Sequence, residues 1–169
     1  MKKIFFALTI VSAALFASCR KDAQTPSGYW PQSTSLFVAA NFQGINWVAA
    51  VSTTYNSTTD TLTINGFYYP NNQYLVIKMP FGGVGVYKPT HQTEGYFYSL
   101  DKNNNVTSFY KLDTTQTSNS IHITSFDPSI DIAEGDFQLS FVKTSGAASA
   151  PNAANFANGK LWIQVPIKH

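Results

Sequence analysis

His91 and Glu94, three residues apart, are the nearest approach in this sequence to a general acid and base, and a surface loop between strands accounts for both. The other histidines, His122 and His169, are remote and share no metal-ligand spacing; His122 alternates with Ile121 and Ile123, which points it to the solvent face of a strand. No G-x-S-x-G, H-E-x-x-H or C-x-x-C occurs. A hydrolase would have to draw a carboxylate pair from Asp101, Asp113, Asp127 or Glu134, brought within about 5 to 9 Å of each other. "FGGVG", residues 81–85, lacks the following helix and the Lys with Ser or Thr of a phosphate loop, and reads as a glycine-rich hairpin. "DKNNN", residues 101–105, begins as a calcium loop begins, but Val106 takes the glycine's place and Leu112 that of the closing glutamate, so a hairpin turn is the better reading. Asp127, Asp131, Glu134 and Asp136 fall within ten residues; a loop this acidic can gather calcium, and solvated loop carboxylates are the default. The sequence therefore assigns no catalytic residue, no metal and no cofactor.

One nucleophile remains, Cys19, the only cysteine of the 169 residues. Lys2 and Lys3 precede the uncharged apolar run Ile4 to Phe16, which is too short for a bilayer of about 30 Å and has the make-up of a signal peptide. "LFASC", residues 15–19, resembles the bacterial lipobox, in which the cysteine sulfur takes a diacylglyceryl group and becomes the mature N-terminus. That resemblance implies a leader over 1–18, an acylated Cys19 with a polar tether over 19–35 ("CRKDAQTPSGYWPQSTS"), and a single domain over 36–169. Within the tether, Tyr29 and Trp30 are expected to pack on the domain. With Cys19 acylated no thiol is left for a disulfide, and the domain must hold by its core. Two of the eleven Lys and Arg fall in the leader, so the residues from Cys19 onward carry nine positive and nine negative side chains. That balance gives no support to nucleic-acid binding. The expected address is the outer membrane of a cell envelope, lipid-anchored, with the periplasmic face favoured because Arg20 and Lys21, not an acidic run, follow the cysteine.

The surplus of the sequence is aromatic: 15% of residues, among them nine Tyr and three Trp. Flat rings are what a pyranose stacks on, and Tyr68, Tyr69, Tyr96, Tyr98 and Tyr110 are the candidate stacking residues, since alternation along a strand turns some rings away from the core. Aromatics also favour strands for packing alone, which accounts for most of them. Asp60-Thr61-Leu62 resembles the Asp-Thr-aliphatic triplet at which envelope proteins of Bacteroidota are O-glycosylated, making Thr61 a candidate acceptor.

The elements that position these residues are strands. Leu36, Val38, Ala40 and Phe42 alternate; so do Leu62 and Ile64, then Leu75, Ile77, Met79 and Phe81, and at the end Leu161, Ile163, Val165 and Ile167 with Trp162 and Gln164 opposite. No window keeps a helical period, and "APNAANFANG", residues 150–159, is the one place where a short helix is expected. The fold class is all-β: an antiparallel β-sandwich of about nine to ten strands, with a closed lipocalin-like barrel as the alternative that periodicity alone does not separate from it.

Read in order, "FVAANFQGINWVAA" with its Gly44-x-x-Trp47-x-Ala49, "LTINGF", "GYFYSL", "YKLD", "IHITSFD", "EGDFQLSF" and "NGKLW" resemble a family of uncharacterised Bacteroidota lipoproteins over residues 36 to 167. Gln43 stands where that family commonly has Asn, and Leu161-Trp162 where it has Phe. The resemblance implies compartment and architecture and carries no functional residue. The expectation is a non-enzymatic envelope lipoprotein that binds a glycan or other small ligand through aromatic side chains; the alternative is an accessory subunit docked on another envelope protein.

Overall fold

The computed structural model describes residues 36–90 and 92–167. The leader, Cys19, the tether with Tyr29 and Trp30, His91 and His169 lie outside the described residues.

Ten strands follow one another: β1 (Phe37–Phe42), β2 (Ile45–Asn56), β3 (Thr61–Tyr68), β4 (Gln73–Pro80), β5 (Gly85–Tyr87), β6 (Glu94–Leu100), β7 (Val106–Leu112), β8 (Ser120–Asp127), β9 (Ile132–Gly146) and β10 (Ala153–Gln164). Every pairing is antiparallel. β1, β2, β3, β4, β6, β7, β9 and β10 pair in that order and β10 pairs back onto β1, which closes an eight-stranded up-and-down barrel. The expected sandwich is thus corrected to the barrel. Closure rests on Phe37 pairing with Trp162 and Val38 with Leu161, a contact between the two ends of the domain that no local pattern encodes.

β9 is long enough to serve two neighbours on one edge. Its first half pairs with β8, from Ser120 opposite Gln138 to Asp127 opposite Ile132, and its second half with β7, from Leu112 opposite Phe141 onward. β5 pairs with the other edge of β8, Val86 opposite His122, so residues 81–85 do not form a hairpin between β4 and β5; they lead to a strand that pairs elsewhere. The expected helix at 150–159 is also corrected: residues 153–164 are strand, with a register shift between Phe156 and Gly159 where one extra residue bulges. Ala and Asn there follow a strand's burial pattern, with Ala154 and Phe156 buried.

Curling eight strands around one core demands close approaches, and two glycines permit them. A Cβ on Gly159 would lie 2.5 Å from the ring of Phe137, and one on Gly135 would run into the backbone carbonyl of His122 at the neighbouring bulge of β8.

Eight strands leave room for side chains and little else, and here side chains fill it. Trp47, Leu62, Ile64, Leu75, Ile77, Met79, Phe97, Ile121, Leu139, Phe141 and Phe156 are fully buried. Phe156 is the hub, with ring centroids of Phe42 at 4.8 Å, Phe97 at 5.1 Å, Trp47 at 5.3 Å and Phe141 at 5.7 Å. The Trp47 indole N–H donates to Gln73 Oε1 at 3.1 Å, so its burial leaves no orphan donor. Buried Asn119 ties the loop before β8 to β9: its Nδ2 donates to the Asp113 carbonyl at 2.7 Å and its Oδ1 accepts from the Ser140 amide at 2.8 Å. With the interior occupied, the surface this barrel leaves open to other molecules is its outside.

Candidate ligand-binding surface

Outward positions in successive strands fall into rows set by the register. One row runs Trp162 on β10, Phe37 on β1, Ala50 on β2, Phe67 on β3, Tyr74 on β4, Tyr98 on β6 and Phe109 on β7, each directly opposite the next. Six of these seven side chains are aromatic, and Ala50 divides them into two groups with different geometry.

The larger group is a ladder. Phe67 and Tyr74 stack at 4.4 Å, Tyr74 and Tyr98 at 4.9 Å with planes 6° apart, and Tyr98 and Phe109 at 6.0 Å with planes 21° apart. Tyr96 tilts against Phe109 at 5.6 Å, and Tyr69 stands edge-on to Phe67 at 4.2 Å. The ring faces of the ladder are turned on one another, so what it offers outward is ring edges and hydroxyls. Burial among these rings, with Tyr74 beside it, raises the Tyr98 phenol above the ordinary tyrosine value.

The smaller group borders a groove. Phe37 and Trp162 meet nearly at right angles, 81° between planes and 6.3 Å between centroids. Beside them a cleft of about 440 Å³ is lined by Lys160, Glu134, Asp136 and Thr124. Trp162 lies opposite Glu134 on β9 and Lys160 opposite Asp136; His122 on β8 faces Asp136 from the other side, with Nδ1 3.6 Å from Oδ2. Trp162 is partly exposed, yet its indole nitrogen is buried and makes no hydrogen bond among the described residues. The part of Trp162 that reaches solvent is therefore carbon.

Of the expected stacking residues, Tyr96 and Tyr98 are on the outer face and Tyr69 is 69% exposed. Tyr68 and Tyr110 are corrected. Tyr68 packs inward toward Trp47, 5.8 Å away, and Tyr110 is a core residue, 3% exposed, whose hydroxyl donates to the Pro151 carbonyl at 3.1 Å. Their parity along β3 and β7 is that of the buried Leu62 and Leu112, and this sends both rings to the core side. Trp162, Phe37, Phe67 and Tyr74 are not among the expected stacking residues; alternation already sets Trp162 opposite the apolar face of its strand, and what only the cross-strand register shows is that the four fall in one row. Thr61 opens β3 on the outer side, partly exposed, its hydroxyl donating to the Thr59 carbonyl at 3.0 Å and accepting from Thr59 Oγ1 at 2.9 Å.

The scattered carboxylates serve turns. Asp101 accepts from the Asn103 amide at 2.7 Å and from the Asn105 amide at 2.9 Å, Asp113 from the Thr115 hydroxyl at 2.6 Å, and Asp127 from the Ser129 hydroxyl at 2.6 Å. These bonds, chiefly from Asn105, Thr115 and Ser129 respectively, hold all three carboxyls below the usual carboxylate range. Among the described residues no three of His, Cys, Asp and Glu converge as metal ligands. Glu94 pairs with Lys78 at 3.8 Å.

The fold and the groove define an all-β barrel with a filled core and an aromatic outer row. No protein-family model matches the chain, nor does any curated protein or solved structure.

Proposed function

We propose that this protein is a non-enzymatic, lipid-anchored envelope lipoprotein of the Bacteroidota type its sequence resembles, and that it binds a glycan or other small polar ligand in the groove beside Trp162 and Phe37. The observation that carries this reading is the carbon surface of Trp162 standing across from Glu134 with Lys160 and Asp136 one row away: a stacking platform with acceptors and a donor at its edge. The filled barrel supports binding on the outside. Polar outer rows such as Thr54, Thr63, Lys78 and Glu94 invert the pattern of a lipid-facing barrel and fit a body held at the membrane by its Cys19 anchor.

The ladder supports a second reading, an accessory subunit docked through Tyr74, Tyr98 and Phe109, because ring edges and hydroxyls in one flat row suit a protein surface better than a sugar face. A broad glycan panel probed with the purified lipoprotein in detergent separates the two. Binding that is lost in Trp162→Ala and kept in Tyr98→Ala supports the groove. Absence of glycan binding, together with a fixed envelope protein that co-purifies with the wild type and not with Tyr98→Ala, overturns it in favour of docking.

A further inference from the structure

Resting on that reading of the groove, we infer that it selects neutral sugars bearing two adjacent free hydroxyls and rejects acidic ones. The inference comes from the order of groups across β9 and β10. Directly opposed outward side chains in an antiparallel pair have Cβ atoms about 4.5 to 5.5 Å apart, so the Trp162–Glu134 and Lys160–Asp136 pairs form two adjacent rows on one face. A pyranose laid on the carbon surface of Trp162 meets Glu134 at its rim and the Lys160–Asp136 pair one row further on. A carboxylate only accepts hydrogen bonds and an ammonium only donates them, whereas a hydroxyl does both. A sugar hydroxyl between Asp136 and Lys160 therefore donates to one and accepts from the other, while its neighbour donates to Glu134. The Glu134 and Lys160 side chains make no hydrogen bond or ion pair among the described residues, and the Thr124 hydroxyl is engaged with the Glu134 backbone carbonyl at 3.2 Å.

The same set excludes an anion. The lining holds two carboxylates and one ammonium, so its net charge is negative, and Lys160 stands opposite Asp136 in the register without an ion pair to it. His122, the one further titratable group against Asp136, faces it from β8, on the side away from Lys160. A uronate or sulfate placed on Trp162 would lie next to Glu134, while the single ammonium of the lining stands one row away opposite Asp136, and like charges brought together at a contact are disfavoured.

The test is a set of matched oligosaccharides titrated against the full-length lipoprotein in detergent: neutral hexose oligomers, the same backbones oxidised to uronates, and analogues lacking one hydroxyl of the vicinal pair. The neutral member is expected to bind about tenfold or more tightly than the uronate, about 1.4 kcal/mol. Deoxygenation at either hydroxyl is expected to weaken binding about tenfold, and Glu134→Gln to narrow the gap between neutral and acidic members. Uronates that bind as well as or better than their neutral partners, with binding still dependent on Trp162, overturn this selectivity and leave the groove standing. Binding of no member in a Trp162-dependent way removes both.

Discussion

Tyr74 and Tyr98 face each other across β4 and β6 with ring planes 6° apart and centroids 4.9 Å apart, each flanked on its other side by a further ring, Phe67 and Phe109. Two phenols so placed have used their faces on each other. A sugar stacks on a ring face, so the most aromatic stretch of the surface is the less suited to stacking one, and the proposed site is at Trp162, where a partly exposed ring borders polar groups. For stacking a sugar, ring orientation counts for more than ring number.

The ladder instead works as sheet stabilisation. Stacked aromatic pairs contribute about 0.5 to 1.5 kcal/mol beyond their buried area, and a double-mutant cycle of Tyr74→Ala and Tyr98→Ala, followed by urea unfolding, should return a coupling in that range. Additive single mutants would show that the two rings pack independently. Because the Tyr98 phenol is raised, its contribution is present below the free tyrosine value near pH 10 and is lost as pH rises through the higher folded value. Absorbance of tyrosinate should show one phenol fewer titrating late in Tyr98→Phe.

Gly159 makes a sharper test of the barrel. Its missing Cβ gives the Phe137 ring its place, and Gly159→Ala should destabilise the domain by about 1 to 3 kcal/mol through overpacking. Gly44→Ala, at a turn with open space around it but φ of +81°, should cost about 1 kcal/mol through backbone strain alone. Gly159→Ala as stable as the wild type in urea titrations would mean that β9 and β10 are not held at this separation.

How far the sequence led can be followed residue by residue. Val38, Leu62, Leu75, Ile163 and their period-two partners lie on the buried side as alternation requires, because a pleat leaves each strand one choice of face. Closure was not legible: a sandwich and a barrel share that alternation, and only the pairing of Phe37 with Trp162, 125 positions apart in the chain, distinguishes them. The same limit hid the site. Tyr96 and Tyr98 could be placed outside from their own strand, whereas the Trp162 groove is assembled by β1, β8, β9 and β10, and its members become neighbours only once the register is known. The helix expected at 150–159 failed for a local reason: Ala-Ala and Asn-Gly fit a bulged strand that packs Ala154 and Phe156 inward.

At low pH the turns should loosen first. Asp101, Asp113 and Asp127 have folded pKa values below their unfolded ones, so the stability they contribute is present above the unfolded value near 4 and is lost as pH falls through the lower folded values. The urea midpoint should decline from about pH 4 downward, and Asp101→Asn, which keeps an acceptor oxygen but no titrating proton, should make that decline shallower. A midpoint unchanged across the acid range would show that the turn hydrogen bonds do not differ between protonation states.

The proposed anchoring through Cys19 has a direct consequence for fractionation. Cys19→Ser should release the protein from the membrane pellet, and mass spectrometry of the wild type should find a diacylglyceryl group on residue 19. Membrane association of Cys19→Ser, with no acyl mass on the wild type, would remove the lipoprotein reading while leaving the barrel untouched.

Trp162 borders the groove with a carbon surface. Its indole nitrogen is buried and bonds to nothing among the described residues, so deleting the N–H leaves no partner stranded and removes a desolvated donor. Trp162→Phe should therefore change stability by less than about 1 kcal/mol, the smaller ring being offset by the lost orphan. It should also hold a ligand that stacks on carbon, within about threefold of wild-type affinity. Trp162→Ala removes the platform and should abolish that binding, and it should also destabilise the β1–β10 seam through the lost contact with Phe37. Unfolding in urea and titration with whichever sugar the wild type binds measure both effects on the same preparations. If Trp162→Phe loses binding as fully as Trp162→Ala, the N–H must turn outward to meet the ligand, and recognition at this groove is a hydrogen bond from the indole, not a stack on its face.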